Sequence, residues 1–260
     1  RRLVCQCHSG RAEGHLSQGR PYPDGRSSGP VRSGRTGVFG AGETGKPATV
    51  SFLAPAYNDE REINEVRSKA IEVIVAMNET LQQFIPNQVG RFDDSFNINC
   101  IGDTFQSMDV PTILFEAGHF QGDYDREFSR KFIFIALLSG IQYIYENDIV
   151  LNEIQNYLHI PQNKVVFYDF IYKKVLINYD GNEKITNFAA QYKEDLVDGK
   201  INFNAYIVKI DELEGFFGHE VFDAEGAMYE DEDGNFPKID NKANFYLSKK
   251  YKFVNGLIKK

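Results

Sequence analysis

Between residues 48 and 146, short strand-type apolar runs alternate with two long segments of helical periodicity. That alternation restricts the stretch to an α/β sheet with helices on its faces. The first run, Thr49-Val50-Ser51-Phe52-Leu53-Ala54, suits a buried strand. A helix follows, which Asn58 or Asp59 can cap, with Ile63, Val66, Ala70, Val73, Met77, Leu81 and Phe84 recurring every three or four positions until Pro86 stops it. Residues 97–101 and 112–115 predict two further interior strands, the second bounded by Pro111 and Gly118. A second helix is predicted over 124–146, turning Phe128, Phe132, Ile135, Leu138 and Ile141 to a core.

After residue 150 the texture changes to β-type runs at 164–172, 175–179, 201–210 and 244–253. Asp180-Gly181 and Asp233-Gly234 between them supply positive φ in tight turns, which points to a small β-rich domain. Residues 1–37 differ from both parts, with seven Arg and no Lys against five Arg and 17 Lys in the remainder. Rich in Gly, Ser and Pro and without apolar period, this leader cannot offset its chain entropy and reads as disordered or foreign, such as a shifted reading frame. The expected organisation is therefore a leader (1–37), part of an α/β domain (38–149) and a β-rich domain (150–260).

A net charge of -8 disfavours nucleic acid, which demands clustered cations to displace phosphate counterions. The longest apolar stretch, 132–144, is interrupted by Ser139, Gly140 and Gln142 and falls short of the roughly 20 residues of a membrane span, so no transmembrane helix is expected. The start carries Arg1-Arg2 but no apolar core of a secretion signal. Cys5, Cys7 and Cys100 do not build a disulfide framework, and the compartment stays open.

Gly40-Ala41-Gly42-Glu43-Thr44-Gly45-Lys46 satisfies seven positions of a phosphate-binding loop, but Pro47 replaces the Ser or Thr that would ligate magnesium. A strand rather than a helix follows it, so no helix N-terminus would face a phosphate. Cys5-x-Cys7-His8 lacks a second ligand pair, the acidic run 230–233 lacks calcium-loop spacing, and His159 and His219 are read as surface or structural. In Pro111-Thr-Ile-Leu-Phe-Glu116-Ala-Gly118-His119 an acid directly ends a run that is otherwise a fully buried strand. A charge there is costly unless paired or facing a cleft, and carboxylates at the C-terminal ends of sheet strands tend to line active-site crevices.

Residues 42–53 (GETGKPATVSFL), 87–103 (NQVGRFDDSFNINCIGD) and 112–120 (TILFEAGHF), in that order and spacing, resemble bacterial zinc carboxypeptidases of the carboxypeptidase A superfamily. The resemblance runs from about residue 39 to the C-terminus. It implies a partial carboxypeptidase-like mixed sheet with flanking helices, followed by the β-rich domain. It also implies a zinc held by a His-x-x-Glu pair and a later His, and a substrate peptide or amide with a free C-terminus. Glu116 matches the family's general base, the carboxylate that takes a proton from the attacking water and passes it to the leaving amine. By the same resemblance Arg91 is the candidate clamp for the substrate carboxylate; His119, three residues after Glu116, orients it, faces the cleft or is structural, and Asp103 and Thr104 are candidates to line the same pocket.

The sequence departs from the family at the metal. No His-x-x-Glu occurs, and Val31-Arg32-Ser33-Gly34-Arg35-Thr36 stands where the third zinc ligand is expected. Two readings follow: an incomplete or frame-damaged metallocarboxypeptidase, or a non-catalytic binding or scaffold protein that keeps the fold. With half a sheet, its strand edges would favour pairing with another chain.

Overall fold

A computed structural model describes residues 4–9, 38–148 and 152–259, and the chain divides into two compact units, Arg1–Val165 and Val166–Lys260. Its secondary structure is mixed α/β, with more strand than helix and four helices among the described residues.

The first unit carries β1 (Val4–Ser9), β2 (Val38–Ala41), β3 (Val50–Leu53), α1 (Glu65–Gln82), β4 (Val89–Arg91), α2 (Ile101–Ser107), β5 (Thr112–Ala117), α3 (Glu127–Glu146) and α4 (Ile154–His159). One mixed sheet runs in the order β1-β5-β3-β4, with β1 parallel to β5, β5 antiparallel to β3, and β3 parallel to β4. Most of the leader, 1–3 and 10–37, lies outside the described residues, but its Val4–Ser9 forms the strand beside β5.

Alternation along the strands sorts the sheet into two faces. Val50, Phe52, Val89, Ile113 and Phe115 enter one core with Ala70, Ile71, Val73, Ile74, Met77 and Leu81 of α1 and with Phe132 and Ala136 of α3. Ser51, Gly90, Leu114 and Glu116 alternate with these and project from the opposite face. Tyr157 of α4 closes the helical layer, its hydroxyl accepting the Ala54 amide at 3.2 Å.

Three local expectations are corrected. Asn64, not Asn58 or Asp59, caps α1, its side chain accepting the Arg67 amide at 2.9 Å. Asn58 instead holds a preceding turn by accepting the Glu62 amide. Residues 97–101 are not a strand: Asn97 accepts the Asn99 amide, Asp93 the Ser95 amide, and Asp103 the Asn97 amide. Short polar side chains thus draw the backbone into turns that lead to α2, in competition with a sheet ladder.

The third correction concerns α3. Its buried face is Ser129, Phe132, Ala136 and Gly140, while Phe128, Leu138 and Ile141 are exposed. A Cβ on Gly140 would stand 2.8 Å from the Met77 sulfur, so the small residues, rather than the largest apolar ones, let α3 approach α1.

In the second unit β6 (Asn163–Tyr179), whose first residues belong to the first unit, pairs antiparallel with β7 (Asn182–Val197), and β7 with β8 (Lys200–Asp211). β9 (Phe217–Asp223) lies parallel to β6. The β6–β7 turn is Asp180-Gly181, with φ of 50° and 99°, as its dipeptide predicts. A second sheet follows chain order through β10 (Tyr229–Glu230), β11 (Phe245–Leu247), β12 (Tyr251–Val254) and β13 (Leu257–Lys259). Aromatic packing fills this unit: Tyr172 and Phe188 lie 4.7 Å apart between centroids, as do Phe245 and Phe253.

Candidate functional site

Glu116 stands next to last in β5, and the strand's end is fixed from both sides. Thr49 accepts the Gly118 amide at 3.0 Å through its carbonyl, and a Cβ on Gly118 would lie 1.8 Å from the Ala48 carbonyl oxygen, so only glycine permits this approach. Arg126 donates to the carbonyls of Ala117 and Gly118 at 3.1 and 3.0 Å. Asp123 accepts from the Phe128 and Ser129 amides and the Ser129 hydroxyl, anchoring the start of α3 beneath the same loop.

Across the sheet one lateral row passes through His8, Glu116, Ser51 and Gly90, which are successive register partners in β1, β5, β3 and β4. Asn163 donates to the Ser51 hydroxyl at 2.9 Å, and a Cβ on Gly90 would fall 1.8 Å from the Asn163 amide oxygen. Gly90 therefore makes room for a partly buried amide–hydroxyl pair at the end of the row opposite β1. Burial alone raises the Glu116 carboxyl from 4.5 to about 7. A carboxyl so placed exchanges its proton near neutrality, which suits a group that takes a proton from water and returns it to a leaving group.

The structure puts the other expected site residues in three places. His119 is buried just past β5, its carbonyl accepting the Thr49 hydroxyl at 2.9 Å and its ring edge-on to Tyr124. It lies at the Glu116 end of the sheet. Arg91 belongs to the helix-covered face, with its guanidinium 5.3 Å from the Tyr157 ring and Nε on the Ile160 carbonyl. The sheet separates it from Glu116.

Asp103 belongs to a buried group at the C-terminal ends of β3 and β4, whereas the antiparallel run of β5 sets Glu116 beside the start of β3. Burial pushes the Asp103 carboxyl up, against the lowering effect of the Asn97 and Ala56 amides and of Arg67. Arg67, 1% exposed, contacts Asp94 at 2.6 Å and donates to the carbonyls of Ala54 and Arg61. Thr104 bonds the Ile98 and Cys100 carbonyls. These contacts hold loop 92–100 against the start of α1.

Ser51, Gly90 and Asn163 carry no signal by residue type. A serine inside the run Val50–Leu53 and a glycine inside β4 are the only marks the sequence offers. The Gly40–Lys46 segment forms a tight turn closed by Ala41 on the Lys46 carbonyl and by a bridge of Gly40 to Pro47, and it opens into β3, not a helix.

Elsewhere in the first unit a cavity of about 250 Å³ is lined by Asn78, Gln82, Asn87, Asn156, His159 and Pro161 among others. In the second unit the fully buried Asp169 carboxylate accepts Gln191 Nε2 at 2.5 Å and the Tyr192 amide at 2.7 Å. His219, expected to be surface or structural, is buried beside the Phe167 ring, and burial lowers its pKa to about 4.

The donor set bears on the zinc implied by resemblance. With no His-x-x-Glu and no histidine between 31 and 36, the residues present do not reproduce the family's ligands and do not fit that metal. Comparison with protein-family models, with curated proteins and with solved structures finds no match for this chain.

Proposed function

We propose that the first unit is the C-terminal part of a carboxypeptidase-like catalytic domain and that Glu116 is its general base, acting on peptide or amide bonds next to a free C-terminus. The observation that carries this reading is the place of Glu116: a desolvated carboxyl, titrating near 7, at the C-terminal end of an interior strand whose following loop is rigidly held. The order and spacing of the three matching segments supply the substrate class. In this role Glu116 accepts the proton of an attacking water and delivers it to the amine that departs. The clamp for the substrate carboxylate is assigned to a residue other than Arg91, whose charge is engaged with Tyr157 on the far face.

Because the zinc ligands are not reproduced, the purified chain should not turn over peptides with free C-termini. Translation of the DNA encoding residues 1–37 and the region upstream, in all three frames, should uncover a His-x-x-Glu and a later histidine. A chain restored with that segment should gain activity and lose it on Glu116→Gln by on the order of a thousandfold. Absence of the ligands from every frame defeats the reading, as does a restored enzyme indifferent to Glu116→Gln.

The absent ligand set also favours a second reading, a non-catalytic binding or scaffold protein retaining the fold. Stoichiometric zinc together with turnover in the purified chain would eliminate it.

A further inference from the structure

The exposed face of α3 carries apolar residues at a spacing that its packing against α1 does not use. Phe134, Leu138, Ile141 and Tyr145 are 60%, 51%, 63% and 88% exposed among the described residues. Their steps of four, three and four are those of a coiled-coil seam, a narrow stripe matched to one other helix. The stripe lies apart from the buried series Ser129, Phe132, Ala136 and Gly140.

We propose that α3 pairs antiparallel with α3 of a second copy of this chain. The spacing is symmetric about the point between Ser139 and Gly140. Under a two-fold axis there, Leu138 meets Ile141 of the other copy, and Phe134 meets its Tyr145, each pair occurring twice. The charges that flank the stripe are complementary: with Glu127 taken up by Arg130, exposed Lys131 precedes it, and Glu146 and Asp148, also exposed, follow it. Antiparallel copies set each basic end against an acidic one, whereas parallel copies would oppose like charges. With whole aromatic side chains of about 150–250 Å² and aliphatic ones somewhat smaller, two copies would bury on the order of 1,000 Å² here, at the threshold of a specific interface.

Sedimentation equilibrium of the full chain across a hundredfold concentration range should show a monomer–dimer equilibrium. Leu138→Lys/Ile141→Lys should leave a folded monomer, checked by an unchanged far-UV spectrum. Lys131→Glu makes both ends acidic, and Glu146→Lys/Asp148→Lys makes both ends basic. Each alone should weaken self-association about tenfold, and mixing the two should restore it as a heterodimer. That rescue does not arise from lost folding or general stickiness.

A wild-type chain that stays monomeric throughout overturns the proposal. It would be overturned equally if, at dilutions where wild type and variant are both monomeric, Leu138→Lys/Ile141→Lys lowered the melting temperature, the sign of a stripe covered by the chain's own residues, or if the wild-type monomer bound lipid vesicles through the stripe. A dimer unmoved by these substitutions also refutes it.

Discussion

Replacing Glu116 with Gln should make the protein more stable at pH 8 and leave it almost unchanged at pH 4. A carboxyl whose pKa rises from 4.5 to about 7 on folding opposes folding whenever both states are ionised. At about 1.4 kcal/mol per pKa step the opposition is ~3 kcal/mol, and partial contact of the side chain with water trims it to ~2 kcal/mol. The sign follows from proton counts. Between pH 4.5 and 7 the folded chain keeps a proton that the unfolded chain has released, so the Glu116 contribution falls as pH rises through that window and is level above it. Glutamine keeps the shape and never ionises, so the stability of the variant relative to wild type should grow by ~2 kcal/mol from pH 4 to pH 8. Urea denaturation of both proteins across that range isolates the effect, because every other titrating group cancels in the difference. A carbon-13 titration of the Glu116 carboxyl provides the matching pKa. Parallel pH profiles, or a carboxyl titrating near 4, would refute the desolvation argument and remove the main support for a general base.

Asp94→Ala leaves the buried Arg67 guanidinium with carbonyl partners only and should destabilise the chain by about 2 kcal/mol in urea denaturation; a neutral result would show the pair to be dispensable. Gly118→Ala drives a methyl against the Ala48 carbonyl and should cost about 3 kcal/mol, whereas a tolerated substitution would contradict the close approach of the strand ends. His219 holds its neutral form with a pKa of about 4 against 6.5 in the unfolded chain, so the stability it supports is complete above pH 6.5 and is lost as pH falls toward 4. His219→Gln should flatten acid denaturation in that interval, and an equally steep melting profile would count against it.

The sequence displayed elements where one pattern dominated and misled where two competed. The period of α1 and the apolar run of β5 are unambiguous, and both elements form, β5 close to its predicted limits and α1 with a later start than a cap at Asn58 or Asp59 would give. On α3 nearly every face is apolar, so periodicity could not choose between the stripe through Leu138 and the one through Ala136 and Gly140. Close helix contact selected the smaller residues. Residues 97–101 carry enough apolar character for a strand, but Asn97 and Asp103 divert their backbone into turns. Glu116 was visible because a charge ends an apolar run. Ser51 and Asn163 were not, because they sit 112 residues apart and meet only through the register of β3 and the path of the chain beyond α4.

That register ties the placement of Glu116 to the stability of the whole first unit. A slip of one residue in β5 would turn Phe115 and Ile113 out of the core and Glu116 into it. Phe115, Ile113 and their neighbours Phe52 and Val50 are at most 1% exposed, and each contributes ~2 kcal/mol by burial. Together they outweigh by several-fold the ~2 kcal/mol with which the Glu116 carboxylate opposes folding at neutral pH. The sheet can therefore hold an energetically unfavourable acid in place with no ion pair to it among the described residues, and the apolar residues that secure its register lie on the opposite face. Phe115→Ala should consequently disturb Glu116 more than substitutions on its own face do: a shift of the Glu116 titration toward 4.5 in that variant would show the coupling, and an unchanged titration in a folded variant would break it.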